Sequence, residues 1–159
     1  MAQSAFTYIK EIVQDLQIVP NKQRQAFFCL MLEGIIKGST VQFSELSYHI
    51  ESAAKEKSTE RCIERFFNEV QLDYINLGRF LLSFIHHKTY TLSIDRTEWD
   101  FGKTQINILC ATVQVERMGV PIYFEMLDNN SGNSNYQDRI DLLEIIMKIV
   151  DPLKIDLLY

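Results

Sequence analysis

Apolar residues recur at helical spacing throughout residues 1–88, which predicts a helical region. The first stripe of apolar residues, within residues 6–16, predicts an amphipathic helix that ends before Pro20. Residues 21–38 are apolar on more than one side, as expected for a helix at the centre of a small bundle. The first stripe consists of Phe6, Ile9, Val13 and Leu16.

Three more helices are predicted before residue 88. One begins near Ser44, and another follows Ser58, whose hydroxyl suits an N-cap. A strongly apolar fifth helix is predicted from about Tyr74 to His86. The helix near Ser44 turns Leu46, Ile50 and Ala53 inward. The helix after Ser58 turns Cys62, Ile63, Phe66, Phe67 and Val70 inward.

Near Lys88 the apolar period changes from helical to alternating, which indicates strands. The predicted strands are residues 89–96, 105–115 and 120–127, with turns at 100–103 and 116–119, and a polar loop over 128–135 follows. Ser134 and Gln137 have the spacing of a capping box at the start of a helix. Its predicted inward face is Ile140, Leu143, Ile146, Met147 and Val150.

Pro152 ends that helix, and residues 154–159 read as a fourth strand. The predicted order is β-β-β-α-β, with the fourth strand parallel to the first on its free side, because the helix supplies a crossover connection. The predicted fold class is therefore α+β, with a helical region over 1–88 and a sheet domain over 89–159. Because the last strand has no turn or cap after it, we expect the chain to be a fragment.

Composition restricts the classes of function. The formal net charge is −5, and residues 89–159 carry six basic and eleven acidic residues, whereas residues 1–88 carry ten of each. Nucleic-acid contact would therefore need local basic patches. The apolar runs are shorter than the ~18 residues of a membrane span. Three cysteines without metal or redox spacing, each in an apolar run, suggest buried free thiols in a reducing compartment, so we expect a cytoplasmic protein without a membrane partner.

Asp95, Arg96 and Trp99 come together where the first predicted strand ends. Taken singly, each has an ordinary structural interpretation. Asp95 suits a turn or a cap, and Trp99 suits a half-buried packing position. Arg96 suits an ion pair with Asp100 or Glu98.

As a run, the residues of this region resemble the DDE transposases of bacterial insertion sequences, specifically the IS-four-like group. The resemblance rests on SIDRTEWDFGKTQINIL (93–109), GVPIYFEMLDNNSGNSN (119–135) and RIDLL (139–143), which occur in the family's order. It covers about the last 70 residues. A looser likeness extends to KSTER and RFF within residues 57–67.

The resemblance implies a ribonuclease-H-like domain in which Asp95 is the first of three carboxylates. In the family these carboxylates hold two divalent ions, normally Mg²⁺ and alternatively Mn²⁺, that cut DNA and join its 3′-hydroxyl to a target. The family's second Asp and its Glu correspond to no residue of this chain. Asp156 lies inside the fourth strand and is not a candidate. We therefore expect this chain alone to be catalytically inactive and to hold no divalent ion stably.

Lys55, Lys57, Arg61 and Arg65 fall on a turn and on the exposed side of the following helix, in an arrangement that resembles a helix-turn-helix. They are the predicted DNA-binding residues, although a solvated ion pair between Arg65 and Glu69 would explain part of the pattern. The expected partners are insertion-sequence ends, in the nucleoid, and intact transposase or a second copy of this chain. The alternatives to a transposase fragment are a non-catalytic DNA-binding or inhibitory module and a decayed gene product.

Overall fold

The computed structural model describes residues 5–127 and 135–159, and these residues form helices and a mixed sheet, which confirms the α+β class. The chain divides into two compact units, Met1–Asp73 and Tyr74–Tyr159. The helices are α1 (Ala5–Asp15), α2 (Lys22–Gly38), α3 (Phe43–His49), α4 (Glu56–Glu69), α5 (Tyr74–Leu82) and α6 (Tyr136–Ile149). The strands are β1 (Tyr90–Phe101), β2 (Thr104–Val115), β3 (Met118–Leu127) and β4 (Ile155–Leu158).

In the first unit α2 contacts α1, α3 and α4, and α3 also packs against α4. Asn21 caps α2, since its side chain accepts a hydrogen bond from the backbone N–H of Arg24 at 2.9 Å. The ring of Phe66 on α4 lies 6.0 Å from the rings of both Phe27 and Phe28 on α2. The fully buried side chains of this core include Val13, Ile18, Val19, Leu46 and Ile63.

The predicted start and inward face of α4 are partly wrong. The helix begins before Ser58, because the carbonyl oxygen of Lys55 already accepts the N–H groups of Ser58 (2.8 Å) and Thr59 (3.0 Å). The buried face is a narrow stripe of Thr59, Ile63 and Phe66, while Cys62 and Phe67 are exposed. Phe67 instead stacks on Phe43 of α3 at the rim, with the ring centroids 5.3 Å apart.

In the second unit the strand order is β3-β2-β1-β4. Neighbours among the first three strands are antiparallel, and β4 is parallel to β1, which confirms the predicted arrangement. The pairing continues past β4, because the N–H of Tyr159 donates to Leu92 O and the N–H of Ile94 donates to Tyr159 O, both at 3.0 Å. α6 supplies the crossover connection that parallel neighbours require.

β1 is longer than predicted. Its pairing with β2 runs without interruption from Leu92 opposite Val113 to Phe101 opposite Thr104. A tight turn at Gly102 and Lys103 closes the hairpin, and Gly102 adopts its φ of +64° without the steric cost that a Cβ would bring. Asp95 therefore lies inside a strand and not at its end, which corrects the prediction.

Helix boundaries in the second unit also differ from the predicted ones. α5 ends at Leu82, so His86 lies outside it. The capping box of α6 is formed by Asn135 and Asp138, one residue after the predicted pair. Ser134 and most of the predicted loop lie outside the described residues.

The face of α6 that packs on the sheet is rotated from the predicted one. Leu142 and Ile149, which were not predicted to face inward, are buried, whereas Met147 is 50% exposed. Ile146 and Val150 are buried as expected. Their partners on the sheet are Leu92, Leu109, Ala111, Val113 and Ile122.

Truncating the two α6 side chains tests this rotation. Leu142 is 0% exposed, so Leu142→Ala is expected to lower the free energy of unfolding of the sheet unit by about 2–5 kcal/mol. The matched change Met147→Ala, on the exposed side, is expected to cost about 1 kcal/mol or less. Urea-dependent hydrogen exchange at the β2 amides measures both. Equal losses of unfolding free energy in the two variants would contradict the packing of Leu142, and not Met147, against the sheet.

Candidate carboxylate site and candidate nucleic-acid interface

Asp95 lies on the face of the sheet that α6 does not cover. Residues of β1 alternate, so Leu92 and Ile94 face the core while Asp95 is exposed on the other side. Its Oδ1 accepts a hydrogen bond from the backbone N–H of Arg96 at 2.8 Å. The carboxylate is thus open to solvent and restrained by its own strand.

Asp95 on β1 lies side by side with one residue of β2 and one of β3 across the sheet. It is opposite Cys110 on β2, and Cys110 is opposite Phe124 on β3, so the three side chains share a face. Burial raises the pKa of the Cys110 thiol above its ordinary value, and the negative charge of Asp95 raises it further. The sequence pattern did not single out Cys110, because strand register is needed to pair it with Asp95.

The carboxyl end of β4 reaches β1 immediately before Asp95. The last bond between them joins Ile94 N–H to the carbonyl oxygen of Tyr159, and Asp95 is the next residue of β1. β1 and β4 run in the same direction, and β1 continues to Phe101 beyond the residue at which its described pairing with the β4 segment stops. Within residues 5–127 and 135–159, no group of three or more His, Cys, Asp or Glu side chains is arranged to hold a metal ion.

Arg96 points to the opposite face from Asp95 and enters a polar cluster. Its Nη2 donates to Asn107 Oδ1 at 2.7 Å and pairs with Glu98 Oε2 at 3.3 Å, so the Glu98 pairing proposed from the sequence is present. Asn107 is only 2% exposed. Arg96 Nε and Glu125 Oε2 are buried and have no hydrogen-bond partner among the residues that the structure describes. An asparagine inside the apolar run of β2 was the available sequence signal for this cluster.

Trp99 is less buried than the packing interpretation implied. Its side chain is 65% exposed, and it lies opposite Ile106 on the same face of the sheet as Asp95. The exposed apolar residues of this face include Phe124 and Met126. Phe124 is contacted edge-on by Tyr74 at the start of α5, with the ring centroids 6.0 Å apart.

The four predicted DNA-binding residues lie together in the first unit, and all four are exposed. Lys55 immediately precedes α4, and Lys57, Arg61 and Arg65 follow at four-residue intervals, so they form one stripe along the helix. This stripe lies on the side of α4 away from its buried residues. Glu69, the predicted partner of Arg65, pairs with Arg24 of α2 at 3.4 Å.

Comparisons of the chain with protein-family models, with curated proteins and with solved structures found no match. Among the described residues, no individual helix has both the length and the apolar character to cross a bilayer. The pair α2 and α3, bent by 96°, meets the criterion together by length and composition alone.

The pairing of Asp95 with Cys110 predicts a change in thiol reactivity. Asp95→Asn removes the charge that raises the Cys110 pKa, so the thiolate fraction and the rate of alkylation by iodoacetamide at pH 8 are expected to increase. The burial of Cys110 is unchanged in this variant, so the pKa of its thiol stays above the ordinary value. The rate is read from the Cys110 peptide by mass spectrometry.

Asp100→Asn is the control for this prediction. It removes the same charge from the same strand at a position opposite Gln105, far from Cys110. Equal acceleration in both variants would mean that net charge, and not the Asp95–Cys110 pairing, governs the thiol.

Proposed function

We propose that this chain is part of a DDE transposase of the IS-four-like group, in which Asp95 is the first metal-binding carboxylate of a ribonuclease-H-like domain. The observation that carries the proposal is the parallel pairing of β4 with β1, which ends at the residue before Asp95. The order β3-β2-β1-β4 and the crossover by α6 are the arrangement that the resemblance implies for the first half of such a domain.

The chemistry follows from the ligands that the proposal assigns. Carboxylate oxygens are hard donors that suit Mg²⁺ or Mn²⁺. In a two-metal site, one ion activates the attacking water or 3′-hydroxyl and the other stabilises the leaving oxygen. The resemblance takes the second carboxylate from the end of the fourth strand and the third from a later helix, and neither corresponds to a residue among 1–159. Asp95 by itself does not organise two ions.

The helical unit is assigned to DNA contact. The exposed stripe of Lys57, Arg61 and Arg65 along α4 supports this assignment, because regularly spaced cations suit the phosphates of a duplex. α3 and α4 are joined by residues 50–55 and pack against each other, as in a helix-turn-helix whose second helix enters the major groove. The binding partner in this proposal is the end of an insertion sequence, and the location is the nucleoid.

A non-catalytic role is the second candidate function. It is favoured by one difference between the two sites: the cationic stripe is complete within this chain, whereas Asp95 is a single ligand. In that role the chain would occupy element ends or pair with intact transposase and inhibit it. Binding without cleavage by this chain is common to both candidates, and the catalytic role requires cleavage when the other carboxylates are supplied.

The DNA-contact assignment predicts salt-dependent binding to duplex DNA. Arg61→Ala and Arg65→Ala are each expected to reduce the slope of log affinity against log salt by about one, because each removes one phosphate contact and its counterion release. Gel shifts over a range of salt concentrations measure the slope. Arg117→Ala, an exposed arginine in the β2–β3 turn, is the matched control and should leave the slope unchanged. An effect of Arg117→Ala equal to that of the α4 variants would refute the assignment.

The catalytic assignment predicts that Asp95 is needed for DNA cleavage but not for DNA binding. Residues 1–159 are expected to show no Mg²⁺- or Mn²⁺-dependent nicking of element-end DNA, and Asp95→Ala is expected to leave DNA binding intact or slightly strengthened. In a chain extended to include the second and third carboxylates, the same substitution should abolish cleavage. Nicking by residues 1–159 that disappears in Asp95→Ala would overturn the claim that this chain is catalytically incomplete.

A further inference from the structure

Asp95 directly follows the last residue of β1 that bonds to the segment continuing β4, since Ile94 N–H donates to Tyr159 O. Up to Ile94 the strand is held on both sides, by β2 and by the segment that continues β4. From Asp95 to Phe101 the described pairing of β1 is with β2 alone.

The polar cluster around Arg96 lies next to Asp95 along β1, on the opposite face of the sheet. The Arg96 side chain is 13% exposed, and its Nη2 reaches Asn107 Oδ1 on β2 at 2.7 Å. Asn107 lies opposite Glu98, two residues after Arg96, so the bond ties β1 diagonally to β2. The Glu98 carboxylate is 56% exposed, and its pairing with Arg96 is therefore the weaker anchor.

Arg96 connects this anchor directly to Asp95. Its side chain is fixed on the α6 side of the sheet, while its backbone N–H donates to Asp95 Oδ1 at 2.8 Å on the open side. The side chain thereby holds the peptide group whose N–H orients the carboxylate. Arg96 makes both of its side-chain contacts through Nη2, and the planar guanidinium fixes the direction of those N–H bonds, whereas the ammonium group of lysine rotates about its stem.

We propose that Arg96 is a positioning residue, whose bond to Asn107 holds β1 against β2 and thereby keeps the Asp95 carboxylate in one orientation for its metal ion. The inference rests on the proposed function for the identity of that ion. The orientation of Asp95 is a property of the free chain and is measurable without metal or DNA.

The test compares the side-chain order of Asp95 when the bond is broken from either end. Arg96→Lys removes the guanidinium, and Asn107→Leu removes its acceptor while keeping a side chain of similar size. In the unaltered chain, three-bond carbon and nitrogen couplings to Asp95 Cγ are expected to report one staggered χ1 rotamer. In both variants the couplings should average over rotamers, while the β2 and β3 amides stay protected from hydrogen exchange.

Two controls separate positioning from general loosening of the strand. Glu98→Gln keeps the Arg96–Asn107 bond and should leave the Asp95 couplings unchanged. Asp100, an exposed aspartate on the same strand, should give the same couplings in all variants. Unchanged Asp95 couplings in Arg96→Lys and Asn107→Leu would overturn the inference. Loss of β2 and β3 protection in both variants would also overturn it, since the cluster would then hold the sheet as a whole.

A Mn²⁺ titration of a chain extended to include the second and third carboxylates separates this inference from the proposed function. Mn²⁺ is expected to broaden the amide signals of Arg96 and Cys110, and Arg96→Lys should raise the Mn²⁺ concentration required by about tenfold. Broadening that is equal in the unaltered chain and in Arg96→Lys would contradict the positioning role. If Asp95 order depends on Arg96 but no Mn²⁺ broadening occurs, the positioning role stands and the metal assignment of Asp95 fails.

Discussion

The parallel pairing of β4 with β1 is the constraint on which the candidate catalytic site depends. Parallel neighbours require a crossover, and α6 provides it by packing Leu142, Ile146 and Ile149 on the covered face of the sheet. That packing brings the carboxyl end of β4 beside Ile94. Because α6 covers one face, the alternation of side chains along β1 places Asp95 on the open face. Asp95 directly follows Ile94, the residue at which the β4 segment last bonds to β1.

In the helical unit, too, only part of the surface of α4 is used for packing. α4 buries only a narrow stripe against α2 and α3, and Phe66 forms its aromatic anchor. The remaining surface is free for charged residues, and its cations repeat at the interval of one helical turn. Because the chain as a whole has a net charge of −5, this local arrangement supports DNA contact better than the composition does.

The element order was predictable from sequence because each period persists over many residues, whereas several boundaries were not. The end of β1 was placed too early, since Asp95, Arg96 and Glu98 break the apolar alternation that marks a half-buried strand. Pairing with β2 keeps these residues in the strand despite their polarity. The start of α4 was placed too late, because a good capping residue, Ser58, lies inside the first turn. The Arg96–Asn107 bond and the Asp95–Cys110 pair depend on register, which a single sequence does not specify.

The central claim is that Asp95 is a metal ligand of a DNA-processing site. Anomalous diffraction at the manganese edge tests it most directly, from crystals grown with Mn²⁺ and duplex DNA of a chain extended to include the second and third carboxylates. The account predicts a peak at about 2.1 Å from an Asp95 carboxylate oxygen, on the open face of the sheet, that is lost in Asp95→Ala. Ordered Mn²⁺ bound only elsewhere, with Asp95 unliganded beside bound DNA, would contradict it.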